Sequence, residues 1–92
     1  MTTKERKKLD KYYSKYGLTY SEYCDLFARQ GLCCALCERP KKLGQRRFPV
    51  DHSHKSGRTR AIVCFYCNKY RIGRFDLYWA KKLLDYMVRY DG

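Results

Sequence analysis

Segment 49–60, with the sequence PVDHSHKSGRTR, concentrates side chains that can do chemistry: one aspartate, two histidines and three basic residues. A cysteine pair flanks it on each side, CALC at residues 34–37 and CFYC at residues 64–67. Cysteine and histidine are both common zinc ligands. The histidines are therefore either zinc ligands themselves or catalytic groups that a zinc module holds in place.

The cysteine spacing favours a zinc site made of cysteines alone. Two C-x-x-C pairs about thirty residues apart have metal-ligand spacing, which a disulfide framework rarely repeats. Only Cys34 leaves the two-residue gap that the second pair also has, so Cys33 and Cys24 are predicted to be free thiols. The predicted ligands of a structural Zn²⁺ are Cys34, Cys37, Cys64 and Cys67. Such a closed site keeps no position for water, so this zinc should organise the fold and not catalyse.

The histidines are then left without a role at the zinc. On a strand, residues two apart share a face, so His52 and His54 would point together, and Asp51 would join them only if the chain bends there. Taken singly, each has an ordinary interpretation as a surface or hydrogen-bonded side chain. Aspartate and asparagine oxygens, from Asp51 and Asn68, suit Mg²⁺, and a neutral imidazole suits the deprotonation of water. One hard cation, one base and a cluster of arginines together can hydrolyse a phosphodiester.

The charge balance indicates a polyanionic partner. Lysine and arginine total 21 against nine acidic residues, for a formal net charge of +12 that is spread along the chain. Each basic side chain on a phosphate releases condensed counterions, which favours binding. The alternative is a merely soluble basic domain. Neither a signal-peptide apolar region nor the ~20 consecutive apolar residues of a membrane span occurs, so neither standard secretion nor membrane insertion is expected.

Helices are predicted on both sides of the cysteine-rich region. These elements together must position the histidines, Asp51 and Asn68. Residues 2–16 are predicted to form a helix with Thr2 as its N-cap and Gly17 as its stop, and a second helix is predicted from Thr19 to a stop at Gly31. Their tyrosines are interpreted as core residues rather than as platforms for base stacking.

The rest of the chain completes a small α+β pattern. Two strand-like runs, 47–52 and 60–63, lie among short irregular pieces. A C-terminal helix is predicted after an N-cap at Asp76, with an apolar stripe formed by Leu77, Ala80, Leu83, Leu84, Met87 and Val88. We expect one zinc-stapled domain over residues 1–92, made of a helical part (1–31), a finger (32–73) and a C-terminal helix (74–92).

Several motifs together resemble one known family. The runs YGLTYSEYCDLFARQGLCCALC, VDHSHKSGRTRAIVC and CNKYRIG look like the recombination endonuclease VII family of phage-type nucleases, within the His-Me finger (ββα-metal) group. The similarity covers about residues 10 to 90 in the same order. The combination of two cysteine pairs with DH-x-H and G-x-x-R is highly specific.

This resemblance implies a ββα-metal hairpin, a finger helix over residues 65–73, and metal-assisted hydrolysis of DNA in the host cytoplasm. It implies that Asp51 and Asn68 ligate one Mg²⁺, for which Mn²⁺ substitutes, and that the cysteine cluster holds a structural Zn²⁺. His52 matches the general base that activates water, and His54 matches a histidine that supports the scissile phosphate. The best-known members are longer and dimerise through helices that this chain supplies only in part, so a homodimer is among the expected assemblies.

Three points stay open at the level of sequence. Phosphate contacts are predicted for basic residues near the site, with a solvated basic face as the alternative for each: Arg47, Arg58, Arg60, Lys69 and Arg71. Some family members carry a carboxylate where this chain has Arg71. The substrate can be a junction, a nick, a flap or ordinary duplex, and the alternative function is a zinc-stapled DNA-binding module without catalysis. A zinc scaffold for a protein partner has less support.

Overall fold

The computed structural model describes residues 1–91 and has the predicted α+β class. Its elements, in chain order, are α1 (Thr3–Ser14), α2 (Tyr20–Arg29), β1 (Val50–His52), β2 (Thr59–Ile62), a π-helix (Cys67–Ile72) and α3 (Leu77–Tyr90). The two strands form one antiparallel sheet. Position 92, the last of the predicted segment 74–92, lies outside the described residues.

The first two helices begin where the sequence predicts because threonine hydroxyls cap them. The Thr2 hydroxyl accepts a hydrogen bond from the Glu5 N–H at 3.2 Å. The Thr19 hydroxyl accepts from the Glu22 N–H at 3.1 Å, and the Glu22 carboxylate accepts from the Thr19 N–H at 2.9 Å. This reciprocal pair is a capping box, and it satisfies two N–H groups that a helix start leaves without partners.

The turn between α1 and α2 sets the two helices against each other. Gly17 has a φ of +73°, a left-handed conformation that glycine adopts without steric cost. The Asp10 carboxylate then accepts from the N–H of Tyr20 at 2.8 Å, so the middle of α1 holds the first residue of α2. This arrangement lets the tyrosines of both helices meet.

An aromatic core joins these helices to the cysteine region. The rings of Tyr13 and Tyr23 stack with their centroids 4.5 Å apart, and Phe27 packs edge-on against Phe48 at 5.7 Å. The Tyr23 hydroxyl donates to the Phe48 carbonyl at 2.6 Å. The core residues are Tyr13, Tyr23, Phe27, Cys34, Phe48, Val50, Ile62, Val63, Cys64 and Cys67. The interpretation of the tyrosines as core residues is confirmed for Tyr13 and Tyr23 and is wrong for Tyr12, which is 51% exposed.

The side chain of Gln30 connects the end of α2 to β2. Its amide nitrogen donates to the carbonyls of Cys33 at 3.0 Å and Ile62 at 2.8 Å. Its amide oxygen accepts from the N–H of Ile62 at 2.9 Å. One amide group therefore satisfies both backbone groups of a fully buried residue, and β2 is held to the helical part of the chain.

The C-terminal helix begins at its predicted cap but does not join this core. The Asp76 carboxylate accepts from the N–H of Trp79 at 2.9 Å. None of the α3 side chains, all of which belong to the described residues, is buried, and Leu77 is 86% exposed. The predicted apolar stripe thus faces outward. Within residues 1–91, no helix has the length and apolarity needed to cross a membrane.

Candidate active site

The four predicted zinc cysteines come together in the structure. Their sulfur atoms all lie within 4.8 Å of one another, and the Cys37 and Cys64 sulfurs are 3.8 Å apart. A tetrahedral Zn²⁺ with Zn–S distances near 2.3 Å places its sulfurs about 3.8 Å apart. The cluster therefore fits a structural metal such as zinc. Cys33 stands outside it, because its thiol donates to the Gln30 carbonyl at 2.9 Å.

Backbone N–H groups shape the cluster electrostatically. The Cys34 sulfur accepts from the N–H groups of Leu36 at 3.4 Å and Cys37 at 3.5 Å. Burial opposes ionisation of Cys34, but N–H groups of Cys37, Cys64 and Leu36 outweigh it and lower its pKa to about 6. Burial, together with the neighbouring thiols, raises the pKa of Cys67 to about 12. The cluster thus presents one thiol that ionises readily and one whose ionisation requires a bound cation.

Arg71, predicted to contact DNA, lies beside this cluster. Its Nη1 donates to the Cys67 sulfur at 3.1 Å, and its guanidinium lies 4.5 Å from the centroid of the Tyr66 ring. The hydrogen bond to Cys67 raises the pKa of Arg71 above its ordinary value. A guanidinium here offsets part of the negative charge that ionised thiols carry. Contact of Arg71 with DNA stays a prediction.

The hairpin that carries Asp51 and His52 contains a β-bulge. Asp51 pairs with Ala61, and His52 pairs with Thr59, so Arg60 is an extra residue on β2. A bulge of this kind bends the strand and re-aims its side chains. Here the bulged strand is β2, and the irregularity lies opposite the step from Asp51 to His52. A joint site of Asp51 with the histidines stays a prediction.

Arg60 forks onto Asp51 from this bulged position. Its Nε donates to Asp51 Oδ2 at 2.7 Å, and its Nη2 donates to Asp51 Oδ1 at 3.1 Å. The same Nη2 donates to the His52 carbonyl at 3.3 Å. Asp51 is only 6% exposed, so the arginine compensates a carboxylate that has little access to water.

The two histidines lie together at the end of the hairpin. The ring centroids of His52 and His54 are 5.1 Å apart, and the Tyr16 ring lies 6.0 Å from His52. The Thr59 hydroxyl donates to the Tyr16 carbonyl at 2.7 Å, which ties the hairpin to the chain after α1. Sequence reasoning did not identify Tyr16 as a neighbour of the site, because this contact joins residues 43 positions apart.

Asn68 lies directly after the last cysteine of the cluster, in a turn that is wider than predicted. An ordinary helix is the expectation for residues 65–73, whereas a π-helix spans Cys67–Ile72. Its wide turn is visible in the bond from the Gly73 N–H to the Asn68 carbonyl, which spans five residues at 3.0 Å. Asn68 is half-buried and the next residue, Lys69, is exposed. Short π-helical segments are frequent at functional sites.

The five basic residues predicted to contact phosphates fall into two groups. All five are exposed to solvent, and the side chains of Arg58 and Lys69 have no hydrogen bond or ion pair among the described residues. The guanidinium groups of Arg47, Arg60 and Arg71 each have a protein partner. Arg47 donates to the hydroxyl of the core residue Tyr13 at 3.0 Å. The partners of Arg47 and Arg60 lie 34 and 9 positions away along the chain, so the sequence pattern does not show that these arginines are engaged.

Comparison with known proteins identifies relatives of this chain. The family model described as recombination endonuclease VII matches residues 9–89. The "Gene 59 protein" of Mycobacterium phage L5 is 36% identical over 74 residues, which are 80% of this chain and 42% of that protein. The "Gene 59 protein" of Mycobacterium phage D29 is 39% identical over 75 residues, with 80% and 41% covered.

The extent of these matches differs between the family and the individual proteins. The family match covers most of the chain, whereas the chain spans about two fifths of the length of the two phage proteins. No solved structure matches the chain significantly.

Proposed function

Because the chain belongs to the recombination endonuclease VII family, we propose that it is a divalent-metal-dependent DNA endonuclease of the His-Me finger type. The observation that carries this proposal is the bulged hairpin. It places a buried carboxylate, Asp51, directly before His52, and it brings the His52 and His54 rings to 5.1 Å. The net charge of +12 supports a polyanionic substrate.

The donor set fits a hard cation. Asp51 and Asn68 offer a carboxylate and a carboxamide oxygen, which are ligands that Mg²⁺ and Mn²⁺ accept. Asp51 is largely buried, and its cationic partner in the structure is the Arg60 guanidinium at 2.7 Å. A cation bound by these residues would supply the positive charge that polarises a phosphoryl oxygen and stabilises the leaving oxygen.

The side chains of the chain itself then divide the remaining chemistry. His52 is proposed to take a proton from the attacking water, a role for which an imidazole is suited near neutral pH. His54 lies close enough to act on the same phosphate as His52 and is proposed to support the charge that develops there. In the free protein the peptide carbonyl of His52 accepts from Arg60 at 3.3 Å.

The cysteine cluster is proposed to hold a structural Zn²⁺ that fixes the hairpin relative to Asn68. Cys64 follows β2 closely, and Cys67 is the residue before Asn68. The pair therefore clamps the segment between the strand that carries Arg60 and the turn that carries Asn68. A four-cysteine site has no open position, so this metal takes no part in hydrolysis.

Recognition is proposed to depend on DNA structure and backbone rather than on base sequence. Arg58 and Lys69 are exposed, and they offer phosphate contacts without a change of partner. Arg47, Arg60 and Arg71, which have protein partners in the free chain, are proposed to add further phosphate contacts. Branched DNA, including Holliday junctions, and nicked DNA formed during packaging are the substrate classes that we propose.

Two copies of the chain are proposed to pair through α3. Half of this helix is apolar, and residues such as Leu84, 61% exposed, and Met87, 48% exposed, have no covering element among the described residues. Antiparallel or parallel pairing of two such faces would remove this surface from water. Replacement of Leu84 by Glu should convert a dimer into a monomer, as measured by light scattering, whereas a wild-type monomer at every concentration would contradict the pairing.

Plasmid cleavage tests the proposed activity directly. Supercoiled DNA with Mg²⁺ or Mn²⁺ should be nicked by the wild type, and His52→Ala should lose at least about a hundredfold, the usual contribution of a general base. Lys55→Ala, in the same loop, is the matched control. Zinc content and circular dichroism establish that each variant is folded.

The alternative function makes the opposite prediction in the same experiment. A DNA-binding module without catalysis would bind DNA in a salt-sensitive manner, would be unaffected by Asp51→Ala, and would cleave nothing with any divalent metal. Equal cleavage by the wild type and by His52→Ala would contradict the assignment of the base.

A further inference from the structure

Asp51, the carboxylate proposed to bind the catalytic cation, already pairs with a cationic side chain of the protein itself, Arg60. Arg60 bonds to both oxygens of Asp51, at 2.7 and 3.1 Å, in the bidentate geometry that is the strongest for this pair of groups. A third bond, at 3.3 Å, reaches the carbonyl of His52. One guanidinium therefore contacts both the proposed metal ligand and the residue of the proposed base.

The position of the pair makes the arginine the solvent-facing partner. The Asp51 side chain is 8% exposed, whereas the Arg60 side chain is 37% exposed. The bulge explains this difference, because Arg60 is the extra residue on β2 and has no place in the strand pairing. The guanidinium is therefore the more solvent-accessible partner of the pair.

A guanidinium and a divalent cation cannot both occupy this carboxylate without cost. Their like charges repel, and the repulsion is strong where water is largely excluded. The planar fork of arginine also matches a phosphate as well as it matches a carboxylate. A DNA phosphate near the hairpin would offer Arg60 an equivalent partner and would leave Asp51 available.

We propose that Arg60 is an exchangeable cation that holds Asp51 in the free protein and moves to a DNA phosphate when the divalent cation binds. The inference rests on the proposed metal site and adds a regulatory property to it. Arg60 lowers the affinity of the DNA-free protein for the divalent cation. Binding of DNA relieves this competition, so DNA and the cation each strengthen the binding of the other.

The competition is measurable without any cleavage. Binding of Mn²⁺ to the DNA-free protein is followed by the loss of the electron paramagnetic resonance signal of the free ion. Arg60→Met removes the charge and the donors and should bind Mn²⁺ at least about tenfold more tightly, as expected for the loss of one strong charged competitor. Arg60→Lys retains the charge without the fork and should give a smaller gain.

A matched control separates competition from general electrostatics. Lys55→Met removes one positive charge from the same hairpin loop, at an exposed residue that has no side-chain bond to Asp51 among those described. It should change the Mn²⁺ affinity by less than about threefold, since charges in solvent are screened. Unchanged or weaker Mn²⁺ binding by folded Arg60→Met would overturn the inference and make Arg60 a support for the site.

The same titration distinguishes failure of the inference from failure of the proposed function. Asp51→Asn should abolish the Mn²⁺ site, and binding that survives this change would overturn the metal site and the exchange together. If binding depends on Asp51 but does not tighten in the Arg60 variants, only the exchange fails. Should Arg60→Met be too unstable to study, Arg60→Lys provides the comparison, with the Mn²⁺-induced rise in melting temperature as a second measure.

The DNA-dependent half of the inference has its own measurement. In proteins carrying His52→Ala to prevent cleavage, added DNA should increase Mn²⁺ affinity when Arg60 is present. The increase should be several-fold smaller with Arg60→Met, because the competitor that DNA removes is already absent. Equal increases in the two proteins would show that Arg60 does not couple the two ligands.

Discussion

Replacement of Gln30 by Leu tests how the helical part of the chain is joined to the hairpin of β1 and β2. Leucine has a similar size but cannot form the three hydrogen bonds of the amide, at 3.0, 2.8 and 2.9 Å. Two of these bonds serve Ile62, which is fully buried. The Ile62 carbonyl keeps a second donor, the N–H of Ala35 at 3.1 Å, whereas the Ile62 N–H loses the acceptor described for it.

The magnitude follows from these bonds. Two lost bonds cost about 1 kcal/mol each, and a buried N–H without a partner costs about 1–3 kcal/mol. The apolar leucine recovers about 1 kcal/mol by burial, so the free energy of unfolding should fall by about 3 kcal/mol. A domain of this length has a total of about 5–14 kcal/mol, so the loss is a large part of its stability.

Urea denaturation followed by circular dichroism, with zinc in excess, measures this loss. With a slope of about 1 kcal/mol per molar, the midpoint should fall by about 3 M. Gln45→Leu is the matched control, since Gln45 is exposed and its amide serves only a local turn, so the expected loss is under about 0.5 kcal/mol. Equal losses in the two variants, or a loss below about 1 kcal/mol for Gln30→Leu, would refute this account of how β2 is held.

Three further predictions concern the cysteine cluster and the core. Strong chelation of zinc, or Cys64→Ser, should unfold the domain. A structural zinc site contributes about 10 kcal/mol or more, which is comparable to the total free energy of unfolding of such a domain. An unchanged far-ultraviolet circular dichroism spectrum would contradict this. Below a pH of about 6, Cys34 is protonated in the metal-free protein and must release a proton when zinc binds. As the pH is lowered through this value, the logarithm of the zinc affinity should therefore fall by about one unit per pH unit more than it does above it. A titration with a competing zinc indicator between pH 5 and 8 would measure the slope. Tyr23→Phe should cost about 1–2 kcal/mol in urea denaturation, since the buried Phe48 carbonyl loses a donor at 2.6 Å. Burial raises the pKa of Tyr23 in the folded protein, so the contribution of its hydroxyl to the free energy of unfolding is fully present below about pH 10 and is lost as the pH rises above that value. If the wild type loses no more stability above pH 10 than Tyr23→Phe does, this explanation is wrong.

Local chemistry was predictable from sequence. The caps at Thr2, Thr19 and Asp76 are confirmed, because each depends on a side chain and an N–H group only three residues away. The clustering of the four cysteines is also confirmed, since the close pair within each C-x-x-C motif leaves only the two pairs to be brought together. The caps and the close pair within each C-x-x-C motif depend on local spacing alone.

The bounds, the type and the surroundings of several elements were predicted less well. The first strand was expected over residues 47–52 but begins at Val50, and Pro49, directly before it, has no N–H with which to extend the strand pairing. The finger helix was expected to be regular but is a π-helix over Cys67–Ile72. The apolar stripe of α3 has the pattern of a buried face, yet the structure leaves it exposed, because periodicity shows that a face is apolar and not what covers it.

The groups that meet the requirements of the proposed chemistry are visible in the sequence: four cysteines for a closed metal site, two histidines two residues apart, and the carboxylate and amide oxygens of Asp51 and Asn68. Their arrangement depends on the tertiary structure. The bulge at Arg60, the fork onto Asp51 and the contact of Tyr16 with His52 all depend on the register of two strands and on segments far apart in the chain. Such contacts arise from the packing of distant residues around one core, and a local pattern carries no record of that packing.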